Sequence, residues 1–311
     1  MVPQPKYDTG LIKKVLEDTS GYPFELEITR RMETWADYGY YVEPNVSFED
    51  QDTGEARELD FHAVRALPIS MIRDEWVFVR VFGSCKDSRN PYVFFTRSDP
   101  TAGMMFRSEL PISGYPLEIC EDNGDRVGIE WYFKLHKLLH IGRTENISSQ
   151  ACVLAWNSGK WVVEKKPVIR DTFVPLVKVM SRKIKAHDDK YIPGHETITP
   201  EYNIYYPLVV IKGHMYEYSV SGSGDTQLKD TKHVVVTRHY ESKAVRCHYG
   251  IDVIHESYLE EYLGLIEKEA TKFVNLIRHY RKAVARSIEQ LSAREGTESL
   301  EDRGEGNEGT T

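Results

Sequence analysis

The segment that most constrains the fold is a continuous apolar run, Val77, Phe78, Val79, Val81 and Phe82, which Gly83 closes. An uninterrupted run of this length is typical of a central strand that is covered on both faces. Ser84, Cys85 and Lys86 follow directly. The run therefore predicts a buried strand with a cationic side chain at its end.

A second strand is predicted from Arg57 to Arg65, where polar and apolar residues alternate. Successive side chains of a strand point to opposite faces, which predicts two sets: Leu59, Phe61 and Ala63 on one face, and Glu58, Asp60 and His62 on the other. If the two strands are neighbours, Asp60 and Lys86 meet at one end of a sheet. That pairing offers a carboxylate for a hard divalent cation beside an amine for a water or a phosphate.

A helix is predicted after Gly21, since Pro23 fits a first helical position and apolar residues recur at helical spacing up to Ala36. At 100° per residue, Glu25 lies within about 50° of the centre of the apolar stripe. Glu25 is therefore expected to face inward, whereas Glu27 faces water. An inward glutamate is more often a boundary residue that reaches water or an arginine, so its position alone does not assign a function.

Length and composition favour one folded domain. The chain has 311 residues, of which 41% are hydrophobic, enough for a large core. We expect a single domain over 1–290 and a disordered acidic tail over 291–311, because the tail consists largely of Gly, Glu, Ser and Thr. No apolar run is long enough for a membrane span. The four cysteines form no C-x-x-C pair, which favours a reducing environment and a cytoplasmic location.

The charge of the chain is distributed unevenly. The formal net charge is −8, yet residues 160–190 carry nine Lys or Arg against four acidic residues. This basic stretch either faces a phosphate backbone or is a solvated helix surface, and the sequence leaves both open. The last predicted helix, from Leu259 to Val284, has a second basic side with Arg278, Lys282 and Arg286.

Residues 100–200 are expected to form a helical and basic insertion. Helices are predicted over Gly128 to Ile141 and over Ser148 to Trp156. His136 and His140 have the i, i+4 spacing of metal ligands on a helix, but the interposed Glu of a zinc hydrolase is absent and no third ligand is evident. The spacing therefore does not indicate a metal site by itself. Strands are predicted afterwards over 204–211, 215–220, 232–240 and 245–254.

The three motifs ending in Glu25, Asp60 and Lys86 occur in the order helix, strand, strand. In this order and spacing they resemble the PD-(D/E)XK, or restriction-endonuclease-like, nucleases over roughly residues 10–95. The resemblance implies an α/β fold with a mixed sheet flanked by helices, a restriction-endonuclease-like core and a long C-terminal helix. It also implies Mg²⁺, with Mn²⁺ as a substitute, held by Glu25 and Asp60, a lysine, Lys86, that orients or deprotonates water, and a nucleic-acid substrate, first of all DNA.

One residue departs from that family. Ser84 occupies the position of the acid two residues before the lysine, and it has no charge to give a cation. Either the site binds metal with fewer carboxylates, with another acid such as Glu58 or Asp87 helping to hold the ion, or the protein has lost cutting activity. Three hypotheses follow: a Mg²⁺-dependent DNA nuclease, an inactive descendant that acts as a nucleic-acid or protein interaction module, and a structural α/β protein with a buried Asp–Lys pair. The sequence leaves the oligomeric state open.

Overall fold

A computed structural model describes residues 8–37, 39–98, 110–144, 146–164, 172–188, 199–242 and 245–291. Its helices are α1 Thr9–Thr19, α2 Tyr22–Glu33, α3 Ile129–Tyr132, α4 Leu135–Leu138, α5 Val174–Asp188 and α6 Leu259–His279, with 3-10 turns at His140–Gly142 and Glu256–Tyr258. Residues 281–291 continue as a further helical segment after a break at Tyr280. No helix within these ranges is both long and apolar enough to cross a membrane.

The strands are β1 Tyr41–Glu49, β2 Ala56–Ser70, β3 Glu75–Asp87, β4 Tyr92–Ser98, β5 Ile112–Tyr115, β6 Glu118–Cys120, β7 Arg126–Gly128, β8 Asn146–Asn157, β9 Lys160–Val163, β10 Glu201–Lys212, β11 Met215–Val220, β12 Thr226–Asp230, β13 His233–Glu241 and β14 Arg246–His255. In the described part of the chain, twelve of them form one sheet in the order β1-β2-β3-β10-β14-β13-β8-β4-β11-β12, with β5 beside β10 and β9 beside β8. Strands β6 and β7 form a separate ribbon.

The sheet is mixed and has a parallel centre. Strand β10 runs parallel to β3 on one side and to β14 on the other, whereas β2–β3 and β13–β14 are antiparallel. Residues 202–211 of β10 are all buried, as expected for a parallel strand that is covered on both faces. The predicted mixed α/β class with a long C-terminal helix is therefore confirmed.

Two hydrophobic cores cover the two faces of the sheet. The first, called here the α6-side core, is formed by α2, α6 and residues 281–291 against the sheet, and it includes Phe24, Phe61 and Phe273. The second, the α5-side core, is formed by α5 against the other face, and it includes Leu59 and Phe82. A sheet buried on both faces fixes the strands that carry Asp60 and Lys86.

The region from residue 100 to 200 is less helical than predicted. Within this region α5 and the short helices α3 and α4 are helical, as predicted. The helix expected over Gly128 to Ile141, however, breaks at Lys134, which has a positive φ of 54°. The helix expected over Ser148 to Trp156 is wrong, because this segment lies in β8 and pairs with β4. Residues 99–109, 165–171 and 189–198, and the predicted acidic tail from residue 292 onwards, lie outside the described residues.

Candidate active site and a buried histidine cluster

The candidate site lies where β2 stops pairing with β3. The pairing of these strands reaches from Ser70 back to Phe61, which lies opposite Gly83. A Cβ atom at residue 83 would lie 1.9 Å from the ring of Phe61, so glycine is required for this close crossing. Beyond Phe61 strand β2 leaves β3, and Leu59 packs in the α5-side core while Phe61 packs in the α6-side core. The prediction that Leu59 and Phe61 share one face is therefore wrong.

Asp60 occupies this point of divergence. Its Oδ2 accepts the backbone N–H of Cys85 at 2.5 Å and the hydroxyl of Ser84 at 3.1 Å. Nζ of Lys86 lies 3.9 Å from the same oxygen. The side chains of Asp60 and Lys86 are 21% and 32% exposed, so both groups are reachable from water. The carboxylate replaces the backbone acceptor that β2 no longer provides, which fixes Asp60 at the end of β3.

Glu25 lies in the first turn of α2, directly after the buried Phe24 in the sequence. Partial burial raises the pKa of Glu25, the charge of Asp60 raises it further, and Lys86 lowers it. The thiol of Cys85 responds to the same groups: burial raises its pKa, and so do Asp60 and Glu25. Glu25 therefore lies close enough to Asp60 and Lys86 for their charges to influence its carboxylate.

The structure thus brings together the three residues that the sequence selected, with Ser84 beside them. Glu58 and Asp87, the two further acids that could have helped to bind a metal, contact other residues instead. Glu58 is exposed and accepts a hydrogen bond from Ser47 across the β1–β2 hairpin at 3.4 Å. Asp87 pairs with Lys212 at 3.7 Å. Two carboxylates and one amine therefore define the site.

The two predicted basic regions, in residues 160–190 and in the C-terminal helices, have different contacts in the structure. On α5, Arg182 and Lys185 join Arg246 in lining a surface cleft of about 510 Å³, which also contains Asp188. In the C-terminal helices, by contrast, Arg278 donates to the carbonyls of Pro68 and Ile69. Arg286 donates to the carbonyl of Cys120 and pairs with Asp122. The C-terminal arginines Arg278 and Arg286 therefore stabilise the fold, whereas Arg182 and Lys185 of α5 contribute to a basic cleft open to water.

A second polar cluster lies buried against α6, and the sequence did not predict it. Nε2 of His140 and Nε2 of His233 lie 2.9 Å and 2.7 Å from Oδ1 of the fully buried Asp252. Nδ1 of His140 lies 3.0 Å from Glu269, and Tyr262 donates to Oδ2 of Asp252 at 2.9 Å. Burial by itself lowers the pKa of His140, but Asp252 and Glu269 outweigh it and raise the pKa to about 10.

His136, the partner that the sequence spacing offered to His140, packs against Trp131, with the ring centroids 5.3 Å apart. Helix α4 ends before Leu139, whose backbone is extended (φ −79°, ψ 137°), so His136 and His140 do not lie on one continuous helix face. The partners of His140 instead come from β13, β14 and α6. The i, i+4 spacing of His136 and His140 was the sequence signal nearest to this cluster, but it paired His140 with His136, whereas the structure places His140 beside His233.

Comparison of the chain with protein-family models, with characterised proteins and with solved structures gives no significant match.

Proposed function

We propose that this protein is a Mg²⁺-dependent nuclease that hydrolyses phosphodiester bonds of DNA in the cytoplasm, with its active site at Glu25, Asp60 and Lys86. The observation that supports this most is the convergence of two carboxylates and an amine from α2, β2 and β3 at the end of one buried strand. The restriction-endonuclease-like motifs motivate the same assignment. Each group is partly exposed, as a site for a macromolecular substrate requires.

The donor set fits a hard divalent cation. Glu25 and Asp60 offer only carboxylate oxygens, and Mg²⁺ is commonly held by one or two carboxylates together with water and substrate phosphates. Within the described residues, the contacts of Asp60 all fall on Oδ2, which leaves Oδ1 for a cation. When bound, Mg²⁺ would lower the pKa of a water and offset charge on the phosphate. Mn²⁺ fits the same oxygens.

The residues of the chain supply position and charge. The Cys85 amide and the Ser84 hydroxyl hold the Asp60 carboxylate in one orientation, so that little reorganisation is needed when the substrate arrives. Lys86 supplies a mobile positive charge beside Asp60, able to orient the attacking water or to contact a phosphate oxygen. Glu25 is destabilised as an anion by burial and by Asp60, so a cation between them relieves the repulsion.

Ser84 favours a second candidate function. Its side chain is buried and donates a hydrogen bond to Asp60, so the position stabilises an acid instead of supplying one. A site with fewer anionic ligands binds Mg²⁺ more weakly. The alternative is therefore a catalytically inactive protein of this fold that binds nucleic acid or another protein.

Incubation of supercoiled plasmid with the purified protein in Mg²⁺ or Mn²⁺ tests the proposal. We expect nicking by wild type, and a loss of at least about 100-fold in Asp60→Asn and in Lys86→Ala, because each removes charge from the reacting centre. Lys229→Ala is the matched control, since Lys229 is an exposed lysine paired with Glu217 on the far part of the sheet. Melting temperatures close to that of wild type would show that the variants are folded.

Nicking that persists at the wild-type rate in Asp60→Asn would remove the activity from this site. No nicking by wild type under any of these conditions, together with metal-independent binding to the plasmid, would favour the inactive interaction module.

A further inference from the structure

The buried histidine cluster is a separate feature from the candidate active site. Asp252 lies beside Leu208 of β10, which in turn lies beside Gly83 of β3. The two clusters are therefore on the same sheet, but Asp252 on β14 lies two strands from β3, which carries Lys86, and three strands from β2, which carries Asp60. They also differ in chemistry, because Glu25 and Asp60 offer oxygens alone, whereas His140, His233 and Asp252 offer two imidazole nitrogens and one carboxylate.

We propose that His140, His233 and Asp252 bind a divalent transition-metal ion of the zinc class. One ligand atom from each of these residues can be chosen so that all three lie within 4.8 Å of one another. Both Nε2 atoms hydrogen-bond to Oδ1 of Asp252, at 2.9 Å and 2.7 Å, so the three ligand atoms are already neighbours and need only a small outward movement to hold an ion about 2 Å from each. Imidazole nitrogen suits zinc, cobalt, nickel and iron, and disfavours Mg²⁺ as a competitor.

The surroundings of the three ligands are those of a metal site. A histidine that binds a metal through one nitrogen commonly donates its other N–H to a carboxylate. Nδ1 of His140 faces Oε2 of Glu269 at 3.0 Å, and Glu269 is held in turn by the backbone N–H of His140 and by Arg143. An ion bound there would displace the hydrogen that Nε2 of each histidine shares with Oδ1 of Asp252, and the bond from Nδ1 of His140 to Glu269 would persist.

Asp252 is oriented in the same way. The hydroxyl of Tyr262 donates to its Oδ2 at 2.9 Å, which leaves Oδ1 directed at the two histidines. Three protein ligands leave the fourth position of a tetrahedral zinc ion for a water molecule. The side chain of His233 is 20% exposed, whereas that of Asp252 is fully buried, so the ion enters past His233.

Cobalt uptake by the full-length protein tests this proposal. The protein is stripped with a chelator and titrated with Co²⁺, whose visible absorption reports its ligands, and metal content is measured after dialysis against Zn²⁺. We expect wild type to hold one equivalent tightly, beyond any weaker binding at Glu25 and Asp60, and this tight binding to be weakened by more than about 100-fold in His233→Ala, which removes the most exposed ligand. Tyr262→Phe keeps all three ligands and should weaken binding by about 10-fold or more, since it releases Asp252.

Two controls make the result specific. His248→Ala removes a histidine from the cross-strand pair His239–His248 on the same two strands, and it should bind the ion as wild type does. Asp60→Asn should also retain Co²⁺, which separates this site from the proposed nuclease centre. The proposal is overturned if folded wild type takes up no Co²⁺ or Zn²⁺, if His233→Ala binds as tightly as wild type, or if uptake depends on His248. The cluster would then be a buried ion-pair network held by protons.

Discussion

At the scale of single residues, the arrangement of Asp60 shows how one side chain can take over a backbone role. The Cys85 amide at the end of β3 has no strand partner from β2, and an unpaired buried amide is costly. Asp60 accepts this amide, so its carboxylate is fixed by the fold before any ligand arrives. The same oxygen also accepts a hydrogen bond from the hydroxyl of Ser84, which fixes the carboxylate of Asp60 from a second side.

Replacement of Ser84 by glutamate tests whether this position belongs to a metal site. The new carboxylate would lie beside Asp60 and Glu25, so in chelator Ser84→Glu should be less stable than Ser84→Gln by on the order of 1–3 kcal/mol, the repulsion expected for like charges a few Å apart near a surface. Added Mg²⁺ should restore the stability, because the carboxylate supplies a hard-oxygen ligand. Nicking should appear or increase in the same variant.

Thermal melts with and without Mg²⁺ measure this effect. Ser84→Gln is the matched control, because it has the same size and no charge. If Ser84→Glu and Ser84→Gln show the same melting temperatures in chelator and in Mg²⁺, and neither gains nicking, then position 84 is not in a metal site and the inactive interaction module is favoured.

At the scale of elements, the position of Glu25 depends on how α2 is attached. Arg31, two turns further along α2, donates two hydrogen bonds to the carboxylate of Glu260 on α6 at 2.8 Å and 2.7 Å, and a third to the carbonyl of Glu256. These bonds lower the pKa of Glu260. Their contribution to stability is therefore present at neutral pH and is lost as the pH falls through the lowered pKa of Glu260.

We expect Arg31→Met to lower the free energy of unfolding by about 1–2 kcal/mol and to reduce nicking several-fold through misplacement of α2. A double-mutant cycle with Glu260→Gln should give a coupling free energy of about 1 kcal/mol between Arg31 and Glu260. This value is lower than for a buried bidentate pair, because the side chain of Glu260 is half exposed and solvent screens the charges. The neighbouring Arg30 is 76% exposed and pairs with Glu33 of the same helix at 3.8 Å, so Arg30→Met is the control. Equal melting curves for the two variants would contradict this account of α2.

The elements around the candidate site were predictable because their signals are local. The apolar run ending at Phe82 and the alternation around Asp60 each predict a strand from adjacent residues alone, and two such strands joined in sequence commonly pair. Pro23 marked the start of α2 in the same way. The meeting of Asp60 and Lys86 followed from the two strand segments alone.

Other elements depend on partners that are far away in the chain. Residues Ser148 to Trp156 have no strong period of either kind, and their pairing with β4 makes them a strand. His140 is joined by His233 and Asp252, which lie 93 and 112 residues further along the chain. The spacing of neighbouring residues in the sequence cannot predict such a cluster. The bend of β2 that separates Leu59 from Phe61 is likewise set by packing, since Phe61 has to cross Gly83.

At the scale of the whole molecule, the distribution of charge decides how a polyanion can approach. The chain has a net charge of −8, so attraction to DNA has to come from a local surface. The C-terminal arginines are engaged with Asp122 and with backbone carbonyls, which removes that face as the main candidate. Within the described residues, the cleft lined by Arg182, Lys185 and Arg246 is a basic surface that is open to water.

Binding to duplex DNA should therefore weaken steeply with salt, and the steepness should depend on this cleft. Each phosphate that a protein neutralises contributes about −0.9 to the slope of log affinity against log salt concentration. The double variant Arg182→Ala, Arg246→Ala should make the slope less negative by about 1.8, because two such contacts are lost. Fluorescence anisotropy with a labelled duplex over a range of salt concentrations measures the slope.

Arg126→Ala, on the β6–β7 ribbon where Arg126 pairs with Glu118, is the control and should keep the wild-type slope. A slope that is the same in wild type and in the double variant would show that α5 does not face the phosphate backbone, and its basic residues would then be a solvated helix surface.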